Sequence, residues 1–287
     1  YFWGAFKDTL VEGASAVGMA WAVCDHPKDC EWGPGKYTGG ANKSLGAIEV
    51  NPDAARKVKS AIRTVRGIGK SLGLNGEVVV TGFSRGSTAA ALAVGDGKIA
   101  EFEDATRGRY ADESSDVQCA VLGPGMFDYE HALANSTEYT RMNTFVTANA
   151  QATTWEQQGA LATIQTNASA PTLFFHNTDD YYKDSDKNPE GLYATQAARM
   201  REKLEALGVT TETLTDYSSG HAVPQTSAAL QKMYDFVLRH VTSPLKLKSL
   251  DARQPSAENT IDILGRKVSE TYTGFAINSG RIQINRP

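Results

Sequence analysis

Glu77-Val78-Val79-Val80-Thr81-Gly82-Phe83-Ser84-Arg85-Gly86-Ser87-Thr88-Ala89-Ala90-Ala91-Leu92-Ala93-Val94 is the stretch on which the fold turns. Glu77–Thr81 is a run of β-branched residues, the composition of a fully buried parallel strand. Ser87–Val94 is built of small residues, as in a helix packed close to a sheet. Between them lies Gly82-Phe83-Ser84-Arg85-Gly86. A nucleophilic serine on a strained strand-to-helix turn needs small residues two positions to either side, so that the turn tightens and the hydroxyl stands clear of the sheet. The five-residue pattern alone is common. The strand before it and the helix after it are the context the motif demands. The rival reading is an ordinary strand-to-helix turn with a solvent-exposed serine.

Outward from this stretch, apolar runs and helical stretches alternate. Upstream, Ala16–Val23 (AVGMAWAV) reads as a strand, and Pro52–Leu72 as an amphipathic helix. In that helix Ala55, Val58, Ile62, Val65 and Ile68 fall at three- and four-residue steps, with Lys and Arg on the outer face. Downstream, Val117–Leu122 and Thr172–His176 read as buried strands, and Phe127–Asn167 as a polar and aromatic insertion capping the sheet. Ala194–Leu207 is a helix, Thr211–Leu214 a strand and Ser227–Val241 a helix. The alternation predicts an α/β architecture with a mostly parallel central sheet.

The chain has 287 residues, 41% of them hydrophobic, which is normal for a protein that buries a core and excludes disordered, collagen-like and disulfide-scaffold classes. Lys and Arg number 29 against 33 Asp and Glu, a net charge of −4, and the pI is about 5.8. This balance argues against nucleic acid as a partner, since such binders usually show a basic face. No apolar run approaches the ~20 residues of a membrane span. Of the three cysteines, Cys24 and Cys30 bracket a short loop and are either a small disulfide or two separate thiols. A zinc site of Cys24, His26 and Cys30 would lack a fourth ligand and the usual short Cys spacing. Cys119 lies in an apolar run and reads as core. No cofactor and no metal is expected.

A serine at neutral pH needs a base, and the base needs an orienting acid. Of five histidines, His221 sits in a polar, Gly-containing loop after the last predicted strand. From there it reaches over the carboxyl ends of the strands, where parallel sheets hold their ligands. His26 and His131 lack such a placement, His240 sits on the last helix, and His176 ends a strand as a structural hydrogen-bond former. The acid is expected after the strand between serine and histidine. Phe174-Phe175-His176-Asn177-Thr178-Asp179-Asp180 supplies it, with Asp179 and Asp180 both open. Asp184 and Asp186 read as solvated loop charges.

From about Phe6 to Val241 the chain resembles the α/β-hydrolase superfamily, and within it the carbohydrate- and feruloyl-type esterases related to the prolyl oligopeptidase group. The residues that carry the resemblance run in order: the helix Asp53–Arg66, the elbow Gly82–Gly86, Gly123-Pro124, the strand Ala170–His176 and the closing Gly220-His221. The resemblance implies a triad of Ser84, Asp180 and His221, with Asp179 as fallback, and the Arg85 backbone N–H as an oxyanion donor. Asn177 departs from the family's usual Gly, and Arg85 is larger than many residues after the serine. Strands before Ala16–Val23 and a His-Gly-Gly loop, which the family has, are not visible, and Tyr1-Phe2-Trp3-Gly4 reads as the remnant just after that loop. With Tyr1 in place of Met, the expectation is a hydrolase domain, 1–245, that begins inside its fold.

Residues 246–259 read as a linker and 260–287 as a small β segment. Ile261-Asp262-Ile263-Leu264-Gly265-Arg266-Lys267-Val268, Gly274-Phe275-Ala276-Ile277 and Gly280-Arg281-Ile282 resemble the C-terminal sorting signals used for type IX secretion by Bacteroidetes-like and related bacteria. The resemblances together imply a secreted or cell-surface bacterial serine esterase with the secretion machinery as a partner. Its expected substrates are small-molecule or polysaccharide esters, the latter carrying acetyl or feruloyl groups on plant polysaccharide, with Tyr129, Tyr139 and Trp155 as a candidate substrate wall. The rivals are a serine peptidase of the prolyl oligopeptidase group and a non-catalytic hydrolase-fold binding protein.

Overall fold

The computed structural model describes residues 13–15, 17–23, 53–95, 103, 110–128, 130–131, 159–180, 192–242, 260–262, 274–278 and 281–285. Cys24, His26, Cys30, Tyr129, Tyr139, Trp155, Asp184, Asp186, residues 1–4 and the linker 246–259 lie outside the described residues. The chain divides into two units, Tyr1–Pro244 and Leu245–Pro287.

In the first unit, helix α1 (Asp53–Ser71) buries Ala55, Val58 and Ile62, the start of the apolar stripe read from the spacing. Its cations do not all face outward. Lys59, Arg63 and Arg66 are buried. Charges buried on a helix must be paired or hydrogen-bonded. Lys59 and Arg63 pair with Glu103, which also accepts from the Ser115 hydroxyl at 2.8 Å. Arg66 donates to the carbonyls of Gly76, Ser114 and Asp116, tying the helix to the turn before the first strand and to the approach to the second. Only pairing across the fold makes these positions tolerable inside, so periodicity alone assigns them to the wrong face.

Four strands follow: β1 (Val79–Gly82), β2 (Cys119–Leu122), β3 (Thr172–His176) and β4 (Thr211–Thr215). They form one parallel sheet in the order β1-β2-β3-β4. Helix α2 (Arg85–Ala91) leaves β1, α3 (Leu192–Ala206) precedes β4, and α4 (Ser227–His240) follows it. The period-2 alternation of the strands sorts the core into two layers. Val80, Ala120, Leu122 and Phe174 face α1, α2 and α3, while Val79, Cys119, Val121, Leu173, Phe175 and Leu214 face α4. Each buried Leu or Phe in these layers contributes about 1.5–3 kcal/mol of transfer free energy.

Two strand expectations need correction. β2 is buried throughout, but Val79–Thr81 of β1 are only partly buried, because β1 has β2 as its one strand partner among the described residues. The run Ala16–Val23 is not a strand over its described part. Residues 17–18 are a turn with Gly18 at φ 77°, and residues 19–23 lie outside any ladder. Met19 donates instead to Ala14 at 2.8 Å, and Val17, Met19 and Trp21 pack against the α4 layer. The apolar composition is satisfied by packing, without sheet pairing.

The second unit holds β5 (Thr260–Asp262), β6 (Gly274–Asn278) and β7 (Arg281–Asn285). They form an antiparallel sheet in that order, with Ile261 opposite Ile277 and Ile277 opposite Ile282.

Candidate active site

β1 carries Phe83 and Ser84 to its carboxyl end, and α2 begins at the next residue, Arg85. Making a helix start so abruptly drives Ser84 to φ 55° and ψ −126°. A non-glycine residue held there stores about 1–3 kcal/mol of strain. The turn is closed by the Gly86 N–H on the Phe83 carbonyl at 2.9 Å and the Ser87 N–H on the Ser84 carbonyl at 2.9 Å. A Cβ on Gly82 would stand 2.3 Å from the Gly86 oxygen and 2.6 Å from the Ser87 Cα, so only glycine fits. A Cβ on Gly86 would meet nothing within 4 Å beyond its own helix turn. The steric need for a small residue thus falls on the strand side of the serine, not on both sides as the motif implies. Past the turn, the Ser87 hydroxyl donates to the Gly123 carbonyl at 2.8 Å and Thr88 Oγ1 accepts from the Met126 N–H at 3.0 Å. Polar residues of α2 therefore anchor the segment that leaves β2 at the same end of the sheet.

The loops after β3 and β4 meet beside this turn. His221 Nδ1 lies 2.8 Å from Asp180 Oδ2, with the Asp180 side chain 4% exposed and that of His221 31% exposed. The His221 ring packs against two aromatic rings. Phe83, next to Ser84, is 4.6 Å away between centroids, and Tyr193 from the first turn of α3 is 5.1 Å away at an interplanar angle of 24°. The neighbouring carboxylate does something else. Asp179 accepts from the Gly220 N–H at 2.7 Å and from the Ser219 hydroxyl at 2.5 Å. Asn177 adds a third link, its amide donating to the Gly220 carbonyl at 2.9 Å and accepting from the Ser218 N–H at 3.1 Å. Asp216, at φ 53°, accepts from both the N–H and the hydroxyl of Thr178.

The electrostatics follow these contacts. The Ser219 hydroxyl, then the Gly220 N–H, hold the Asp179 carboxyl below the usual carboxylate range, and Thr178 does the same for Asp216. Burial, and then the charge of Asp180, push the Tyr217 phenol upward. It stays a neutral donor, bonded to the Ala222 carbonyl at 2.7 Å.

The remaining histidines fall elsewhere. His176 is buried at the end of β3. His240 packs on Phe236 at the end of α4, where burial lowers its pKa. His131 has its N–H on Asp128 and its Nδ1 3.4 Å from Gln196 Nε2. Gln196, fully buried on α3, also accepts from the N–H groups of Phe127 and Asp128, and Arg199 pairs with Asp128 at 2.5 Å. The helix that brings Tyr193 to His221 thus fixes the segment beyond β2 as well. Among the described residues no His, Cys, Asp and Glu side chains cluster as a metal site, and no helix is long and apolar enough to cross a membrane.

This parallel sheet, with helices on both faces and a serine on the strand-to-helix turn, is an α/β-hydrolase fold. No protein-family model matches the chain, and no curated protein is similar to it. Solved structures of like fold include a truncated carbohydrate esterase from gut microbiota, 18% identical with a TM-score of 0.52, covering 67% of this chain and 69% of that one. A bifunctional GH43-CE protein of Bacteroides eggerthii is 21% identical with a TM-score of 0.54, over 68% of this chain and 28% of the other. At these identities the likeness is one of fold.

Proposed function

We propose that the chain is a serine hydrolase of carboxylic esters. The observation that carries this reading is the Asp180–His221 pair at 2.8 Å, ring-packed against the residue beside Ser84 on its strained turn. In this reading His221 takes the Ser84 proton as the hydroxyl attacks the ester carbonyl. Asp180 holds the Nδ1–H and stabilises the imidazolium that forms. The Arg85 backbone N–H donates to the developing oxyanion, a contribution of about 3–4 kcal/mol where such a donor has been removed. His221 then returns the proton to the leaving alcohol, and water, activated by the same ring, releases the acid from the acyl-enzyme.

The proposed substrates are acetyl or feruloyl esters on plant polysaccharide. Support comes from the motif resemblance, and one of the two solved structures of like fold bears the name of a carbohydrate esterase. Turnover of p-nitrophenyl acetate and of acetylated xylan tests the reading. Wild-type activity that disappears in Ser84→Ala is the expected result, and equal turnover by the two proteins would overturn it. Export by the tail is proposed on the motif resemblance, of which Ile261-Asp262 falls on β5, Gly274–Ile277 on β6 and Arg281-Ile282 on β7. Cleavage of residues 260–287 and surface display in the native cell would support it, and a retained protein with its tail intact would sink it.

A further inference from the structure

We infer that Asn177 is a positioning residue that sets the register between His221 and Asp180, an inference that rests on the proposed triad. Asn177 follows β3 directly and is 2% exposed. It reaches both members of the pair. Its backbone carbonyl accepts from the Asp180 N–H at 3.2 Å, which fixes the acid. Its side-chain amide donates to the Gly220 carbonyl and accepts from the Ser218 N–H, which fixes the loop one residue before His221.

The loop needs such an anchor. Gly220 stands at φ 64°, a conformation in which glycine has wide freedom to move. A rotation of its peptide would carry His221 away from Asp180. The two side chains prevent this from opposite sides, Asn177 on the Gly220 carbonyl and Asp179 on the Gly220 N–H. The Asp179 bond is exposed, whereas the Asn177 bonds are part-buried. Water therefore replaces the Asp179 bond cheaply, and Asn177 carries the larger share of the constraint. The flanking rings of Phe83 and Tyr193 limit the tilt of the imidazole but leave its height over Asp180 to the loop.

The test compares wild type with Asn177→Ala, which removes both side-chain bonds, and Asn177→Asp, which keeps the acceptor for Ser218 and loses the donor to Gly220. With p-nitrophenyl acetate, kcat should fall about 10–100-fold in Asn177→Ala with KM within about twofold, as expected when a catalytic group is misplaced by about 1 Å. Asn177→Asp should lose about tenfold. The low-field proton resonance of the His221 Nδ1–H should be present in wild type and in Ser84→Ala, and lost or moved upfield in both Asn177 variants. Unchanged kcat, or a His221 resonance unchanged in both variants, would overturn the inference. If wild type hydrolyses no ester the triad reading falls, and the resonance still decides the positioning role by itself.

Discussion

The two halves of the site are held by different means. Ser84 is placed by the backbone: a strand, a turn with φ 55°, and a helix that leaves Gly82 no room for a side chain. His221 and Asp180 are placed by side chains, through bonds from Asn177, Asp179 and Asp216 that join two loops about forty residues apart in the chain. A backbone device is encoded in a few adjacent residues and resists everything except a change at those residues. A side-chain device is distributed, and it loosens in steps as its bonds are removed.

The largest expected effect lies at the adjacent aspartates. Asp180→Asn should lower kcat by about a thousandfold or more, because the imidazole loses the acceptor that sets its tautomer. Asp179→Ala should cost no more than about tenfold, since it frees the Gly220 N–H and the Ser219 hydroxyl, both exposed bonds that water replaces. A steady-state series on p-nitrophenyl acetate measures both, and equal losses would mean that the two carboxylates share one role.

Gly82→Ala attacks the other half. The new Cβ meets backbone atoms of Gly86 and Ser87 rather than a side chain that could turn aside. Thermal or urea unfolding should show a loss of about 3 kcal/mol, at the upper end for overpacking. Gly86→Ala should cost nothing and gain up to about 1 kcal/mol, because the added Cβ meets open space and alanine is the better helix former. Similar losses at the two positions would remove the strand-side argument.

The smallest effect is in acid. The folded-state pKa of Asp179 lies below its unfolded value, so its contribution is complete above the unfolded pKa of about 3.9 and disappears as the pH falls through the folded one. The stability gap between wild type and Asp179→Asn should therefore stay constant from neutrality down to about pH 5 and close below about pH 4. A gap that widens in acid would reverse the sign of the argument. Urea titrations at a series of pH values read it directly.

The same division explains what could be read before the fold was known. β1, α2 and the serine turn are contiguous, and the reading from Glu77 to Val94 needed only local composition. β3 was legible from its apolar run after Pro171, and α1 from the three- and four-residue spacing of its apolar residues between Pro52 and Gly73. What was missed depends on contacts between distant segments. Lys59, Arg63 and Arg66 read as surface charges because Glu103 and the carbonyls of Gly76, Ser114 and Asp116 are not neighbours in the chain. Ala16–Val23 read as a strand because apolar runs look alike whether they pair or merely pack. Asn177 stood out as a departure from the family's glycine, but its role becomes visible only when Ser218 and Gly220 are brought beside it. Nothing in the spacing of α3 pointed to Tyr193 as the ring on His221.

The proposed chemistry stands on Ser84 as a nucleophile activated by His221. Labelling with diisopropyl fluorophosphate, followed by peptide mass spectrometry, reads this activation at the residue itself. One adduct per chain is expected, located on Ser84, with its formation slowed by orders of magnitude in His221→Ala. An unmodified Ser84, or labelling at the same rate with and without the His221 imidazole, would contradict it.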